Sequence, residues 1–216
     1  MGMSDLYLRY LFRPKLEEPV FVGGFPGFGN VGSITARLLI EFSRAEPFAE
    51  LYSPSFPDYV TVGKNGICRV PHYDFYGSST GKPHFIVLTG DAQPSPEDIV
   101  AHYKLCDRIL DFIIDYRCKF VITLDGVPTP SPSREVYVAA TSSKLAVEVM
   151  EKGAILYAGR ILGIPGLLLG SAKNRGLEGI CLLGATSNLG GDKKVAFSVF
   201  KFLTKVLKME EMRNGS

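Results

Sequence analysis

The residue pattern most able to do chemistry is Gly27-Phe-Gly29-Asn-Val-Gly32, a match to G-x-G-x-x-G. It follows the apolar run Pro19-Val-Phe-Val-Gly-Gly and opens a stretch of helical spacing. That is the setting of a dinucleotide-binding turn, where helix N-terminal amides meet a pyrophosphate and glycines let the backbone approach it. Gly27, Gly29 and Asn30 would make the contacts. Two features oppose this. Pro26 removes one backbone donor, and the second strand leads into a proline turn and hairpin, not a second crossover helix. Glu50 stands where a ribose-binding acid would be sought, but early in its strand. The preferred reading is a tight strand-to-helix turn with close helix packing.

A second group sits where strands end. Gly90-Asp-Ala-Gln-Pro94 closes one apolar run, Asp125-Gly126 the next, and Thr186-Ser-Asn188 the last. Ligands of open α/β sheets gather at the carboxyl ends of strands. Asp91, Gln93, Asp125 and Thr186 are therefore placed in one crevice. Two acids there could bind a metal or act as acid and base. With no third ligand at recognisable spacing, the simpler reading is that Asp91 and Asp125 cap turns and helix ends. His72, His84 and His102 lack any H-E-x-x-H partner and are expected to be surface or structural. There is no P-loop lysine or catalytic cysteine signature. No catalytic residue, metal or cofactor is assigned.

The third group is aromatic. Tyr59-Val-Thr-Val and Ile67-Cys-Arg-Val flank Gly63-Lys-Asn-Gly66, a hairpin signal because Asn-Gly tolerates positive φ. Phe56, Tyr59, Tyr73, Phe75 and Tyr76 fall on or beside it. A partly exposed aromatic hairpin suits a protein interface. The same residues could also pack back on their own sheet.

The elements that must position these groups alternate along the chain. Strands are expected at 19–24, 48–52, 84–90, 119–124, 135–140, 154–158 and 177–183. Helices are expected at 31–43, from Pro96 (capped by Ser95) to about 116, and at 143–151, 163–174 and 192–209. Near-continuous apolar strands separated by helices predict a mostly parallel sheet covered on both faces. Leu6 to Phe12 is apolar enough to add a strand or arm. The expected organisation is an N-terminal arm (1–18), one α/β domain (19–209) and a flexible tail (210–216). The proline loop at 128–132 is a candidate functional loop.

With 216 residues, 46% of them hydrophobic and a net charge of +2, the chain can build a sizeable core and carries no basic stripe for nucleic acid. Charges throughout residues 1–20 exclude a signal core, and no apolar run is long enough for a membrane. Cys68, Cys106, Cys118 and Cys181 have no zinc spacing and read as small buried hydrophobes in a reducing cytoplasm.

Four stretches together resemble the proteasome assembly chaperone 2 family in its archaeal, ATP-grasp-labelled form. They are Gly24-Phe-Pro-Gly-Phe-Gly-Asn-Val-Gly32, Phe48-Ala-Glu-Leu-Tyr-Ser-Pro-Ser-Phe-Pro57, Val87-Leu-Thr-Gly-Asp-Ala-Gln-Pro94 and Gly179-Ile-Cys-Leu-Leu-Gly-Ala-Thr-Ser187. The resemblance spans roughly residues 19–208. It implies a three-layer α/β sandwich similar to purine nucleoside phosphorylases. It also implies a non-catalytic, cytoplasmic homo-oligomer, trimer to pentamer, whose partners are proteasome subunits or another assembly client. Some archaeal relatives dock through a hydrophobic-Tyr-X tail. The present sequence ends Met212-Arg-Asn-Gly-Ser216, so either another client or docking through the hairpin is expected. The alternative function is a nucleoside- or phosphate-ligand hydrolase or transferase built on the glycine turn and the strand-end carboxylates.

Overall fold

The computed structural model describes residues 6–130 and 134–208. The strands are β1 (Tyr7–Tyr10), β2 (Val20–Gly24), β3 (Glu46–Tyr52), β4 (Thr61–Val62), β5 (Cys68–Arg69), β6 (Tyr73–Ser78), β7 (Phe85–Gly90), β8 (Phe120–Pro128), β9 (Val136–Ala140), β10 (Ile155–Leu156) and β11 (Glu178–Thr186). The α-helices are α1 (Val31–Ser43), α2 (Ile99–Asp115), α3 (Ser143–Glu151), α4 (Gly163–Asn174) and α5 (Lys193–Val206). Among the described residues no helix is long and apolar enough to cross a membrane.

A nine-stranded sheet runs β1-β3-β6-β7-β2-β8-β11-β9-β10. Its middle, β7-β2-β8-β11, is parallel throughout. Those strands are the apolar runs of the sequence, and both of their faces are covered. Phe21 and Val121 look into one layer, with Leu105 and Ile109 of α2 and Leu168 of α4. Val22 and Ile122 look into the other, with Leu39 of α1 and Val199 of α5. The result is the expected three-layer sandwich. The flanks are antiparallel: β6 on β7, β3 on β6, β1 on β3, and β9 on β11. β4 and β5 form the expected hairpin ribbon, closed by Gly63 N–H to the Ile67 carbonyl at 3.0 Å, with Gly66 at φ +76°.

Some expectations need correction. The sequence reading passes from the hairpin to His84 without a strand, yet Tyr73–Ser78 is β6. Its period-2 alternation buries Tyr73 and Phe75 completely. Asp125-Gly126 is no turn, because β8 continues through it in register with Leu183 and Gly184 of β11. Helix α2 begins at Ile99, since Asp98 rather than Ser95 caps it, accepting from the Ala101 amide at 3.0 Å. β9 joins antiparallel to β11, β10 is only two residues long, and α5 ends at Val206. Cys68 is exposed, unlike the other three cysteines. The tail and part of the proline loop lie outside the described residues.

Glycines set the depth of the layers at the carboxyl end of the sheet. A Cβ on Gly24 would lie 2.3 Å from the Gly32 carbonyl oxygen, and one on Gly32 would lie 2.3 Å from that of Leu124. On Gly126 it would lie 2.1 Å from the carbonyl oxygen of Phe28. Backbone therefore packs on backbone where β2 turns into α1. Gly126→Ala is expected to destabilise by about 3 kcal/mol or more, through overpacking against a rigid backbone. Gly170 is an exposed position inside α4 with open space around it. Gly170→Ala should instead stabilise by about 0.5–1 kcal/mol. Urea denaturation of the two variants checks both signs.

Candidate functional site

The parallel strands β2, β7, β8 and β11 all end on one side, so their following loops meet there. β2 delivers Phe25 to Asn30. Gly29 takes φ +62° and Asn30 takes φ +49°, which carry the chain through a 3-10 turn (Phe28–Asn30) into α1. A side chain on Gly29 would strike Thr186 Cγ2 at 2.7 Å, and one on Gly27 would strike Asp125 Oδ1 at 2.6 Å. The glycine turn thus lies against two residues the sequence reading placed with it.

Each polar group there already has a task in the fold. Thr186 donates to Asp192 Oδ2 at 2.7 Å and accepts from the Asn188 amide at 3.0 Å. Asp192 caps α5 through the Val195 amide at 3.1 Å, and its own amide donates to the Gly29 carbonyl at 2.8 Å. Partial burial works to raise the Asp192 carboxyl. The hydrogen bonds from Thr186, Val195 and Lys194 outweigh it and hold the group below its ordinary range. Gln93 spans two elements, donating to the Pro26 carbonyl and accepting from the Ile164 amide at the start of α4. Asp91 is exposed and pairs with Arg37 of α1 at 2.9 Å. Asp125 is buried. Desolvation pushes its carboxyl up to about 7, against the Gly126 amide that donates to Oδ1 at 2.8 Å.

The aromatic group divides. Tyr73 and Phe75 are core, and Phe56 is buried against the Tyr73 ring at 4.8 Å. Phe75 packs on Phe112 of α2 at 4.0 Å. Tyr76 is half-buried, and only Tyr59 of the five is well exposed, at 47%. The hairpin's exposed apolar side chains are aliphatic instead: Val60, Val62, Ile67 and Val70. Beside it lies a cleft of about 510 Å³, lined among others by Ile67, Arg69, Val70, His72, Asp74 and Asp91.

The sequence model of the PAC2 family matches residues 21–213. The chain belongs to the PAC2 family. It is 33% identical over 205 residues to the uncharacterized protein MJ1210 of Methanocaldococcus jannaschii, covering 91% of this chain and 78% of that one. Among solved structures it is similar to Pyrococcus furiosus PbaB, described as an archaeal proteasome activator. The TM-score is 0.90 and the identity 33%, over 95% of this chain and 90% of PbaB. It is also similar to Pyrococcus furiosus PbaA, described as an archaeal homolog of proteasome-assembly chaperone. There the TM-score is 0.76 and the identity 26%, over 94% and 86% of the two chains.

In this PAC2 chain the sequence reading missed Arg37 at the strand ends, and Arg9, Arg69 and Asp74 around Glu50; it placed Asp192 only as the opening of the last helix. An acid inside the buried run Phe48-Ala-Glu-Leu was a readable signal, since a buried carboxylate needs partners. Glu50 has them in Arg69 at 3.1 Å, Arg9 at 3.5 Å and the Tyr52 hydroxyl at 2.8 Å. It is no ribose ligand of the glycine turn, because β3 is separated from β2 by β6 and β7.

The Asp125 carboxyl makes a prediction of definite sign. Its folded pKa of about 7 exceeds its ordinary value of 3.8. Between those values the folded chain keeps a proton that the unfolded chain releases, so stability falls as pH rises and levels off above about 7. Asp125→Asn should remove this loss. Relative to the variant, the wild type should lose on the order of 4 kcal/mol between pH 4 and pH 8. Denaturant midpoints across that range check it, and parallel curves would contradict it.

Proposed function

We propose that this PAC2 chain is a non-catalytic, protein-binding homo-oligomer that engages proteasome subunits through the β4–β5 hairpin. The observation that carries this is the hairpin surface. Tyr59, Val60, Val62, Ile67 and Val70 are 42% to 60% exposed, and they stand on or beside the two-residue strands β4 and β5. So short a ribbon gains little from its own pairing. Contiguous exposed apolar side chains on it are the kind of patch that another protein covers. Two of the strand-end carboxylates, by contrast, hold elements together: Asp192 caps α5 and Asp91 ties α1 to the end of β7, while Asp125 is buried and accepts from the adjacent Gly126 amide. That engagement takes support from a hydrolase or transferase at the crevice. The likeness to PbaB and PbaA supports a proteasome-related client.

Size-exclusion light scattering should give a closed oligomer of three to five chains. Titration with proteasome α-subunits should give saturable binding that Val62→Asp with Ile67→Asp weakens at least tenfold. The melting temperature should stay unchanged, because both side chains are exposed. A monomer would remove the oligomer, and undiminished binding by the double variant would remove the hairpin.

A further inference from the structure

Behind the hairpin, His72 is 5% exposed and its ring stacks on Tyr52 with centroids 5.2 Å apart. Its Nδ1 lies 2.7 Å from the Val70 carbonyl oxygen. A carbonyl oxygen can only accept, so Nδ1 carries the hydrogen and the neutral ring turns a lone pair outward at Nε2. That nitrogen is buried and makes no hydrogen bond among the described residues. Asp74 Oδ1 is 3.3 Å away, near enough for an ion pair, and this contact leads the influences that raise the ring's pKa against its burial. The Glu50 carboxylate completes the group, and one ligand atom from each of the three lies within 4.8 Å of the others. A ring lone pair and two carboxylates gathered this closely repel one another, and the guanidinium groups of Arg9 and Arg69 sit on Glu50 alone.

We propose that Glu50, His72 and Asp74 bind one divalent cation of the zinc class. The 3.3 Å between Nε2 and Oδ1 matches the ligand–ligand edge, about 3.4 Å, of a tetrahedron with bonds of about 2.1 Å. A ring N–H given to a backbone carbonyl is the arrangement that fixes a metal-binding imidazole in the required tautomer. Glu50 keeps a place for the ion. Its oxygens accept from Arg69, Arg9 and Tyr52, and a carboxylate offers about four lone-pair positions. One imidazole with two carboxylates suits zinc or cobalt, and excludes the ions that need thiolate.

The charge balance limits the strength of the site. Arg9 and Arg69 both pair with Glu50 and offset negative charge at the site, so binding in the micromolar range is expected rather than that of a closed structural zinc site. Glu50 belongs to β3, Asp74 to β6, and His72 to the link between β5 and β6. The ion would pin the base of the hairpin to the sheet edge. Its remaining positions would face the cleft that His72 and Asp74 line.

The test uses the full chain, stripped with chelator and carrying Cys68→Ser, because exposed Cys68 is itself a zinc ligand. Zinc chloride is titrated in a calorimeter, and cobalt(II) is added in parallel while the visible spectrum is recorded. Binding of about one equivalent per chain is expected. Cobalt should give the intense visible bands of a four- or five-coordinate site. Asp74→Asn is isosteric and partly exposed, and should weaken binding at least about tenfold, as should His72→Gln. Asp91→Asn, on the same cleft, should leave it unchanged. An Asp74→Asn chain with wild-type melting in chelator separates loss of a ligand from loss of fold. No saturable binding below about 0.1 mM, or binding that survives both ligand variants, overturns the site. The positive charge is then a second proton on His72.

Discussion

Where β2 turns into α1, backbone meets backbone, and the carboxyl end of the sheet is built on that contact. Gly24, Gly32 and Gly126 leave no room for a Cβ, so α1 lies directly on β2 and β8. Had side chains stood between them, the turn at 27–30 could not reach Thr186, and the Asp192 amide could not reach the Gly29 carbonyl. Gly27, Gly29 and Gly32, which match a pyrophosphate-binding pattern, each have a neighbour within 2.7 Å of where a Cβ would stand, so close packing explains them. Gly29, in the left-handed region, fits between β11 and its following loop, where a ligand would otherwise be sought.

The polar groups around this joint extend its rigidity outward. Asp192 couples α5 to β11 through Thr186, Gln93 couples the β2–α1 turn to α4, and Arg37 with Asp91 couples α1 to β7. The Gln93 and Arg37 bonds link elements far apart in sequence, and the Thr186 bond closes the short loop between β11 and α5. The hairpin rises from the same end of the sheet, because Tyr73 pairs with Gly90 at the end of β7. It is anchored from below by Arg69 on Glu50. A rigid platform thus presents a small, mainly aliphatic ribbon to whatever binds it.

Much of this was legible in the sequence. The central strands, α1 and the hairpin turn follow from apolar period, glycine placement and Asn-Gly chemistry, and the family stretches are legible by resemblance. What was not legible depends on pairing between distant segments. Tyr73 and Phe75 look like interface aromatics until β6 is found between β3 and β7, and only then is their burial forced. Asp125-Gly126 carries a turn signal that parallel pairing with β11 overrides. Glu50, His72 and Asp74 share no motif spacing; register alone brings them together, Glu50 opposite Asp74 across β3 and β6.

Hydrogen–deuterium exchange of the chain alone and bound to proteasome α-subunits tests most directly whether the hairpin or the strand-end joint is the working surface. Slower exchange over 59–70 on binding, with 27–32 and 186–192 unchanged, is predicted, since the joint is already hydrogen-bonded and packed. Protection concentrated at 27–32 and 186–192, with the hairpin exchanging as before, would contradict it.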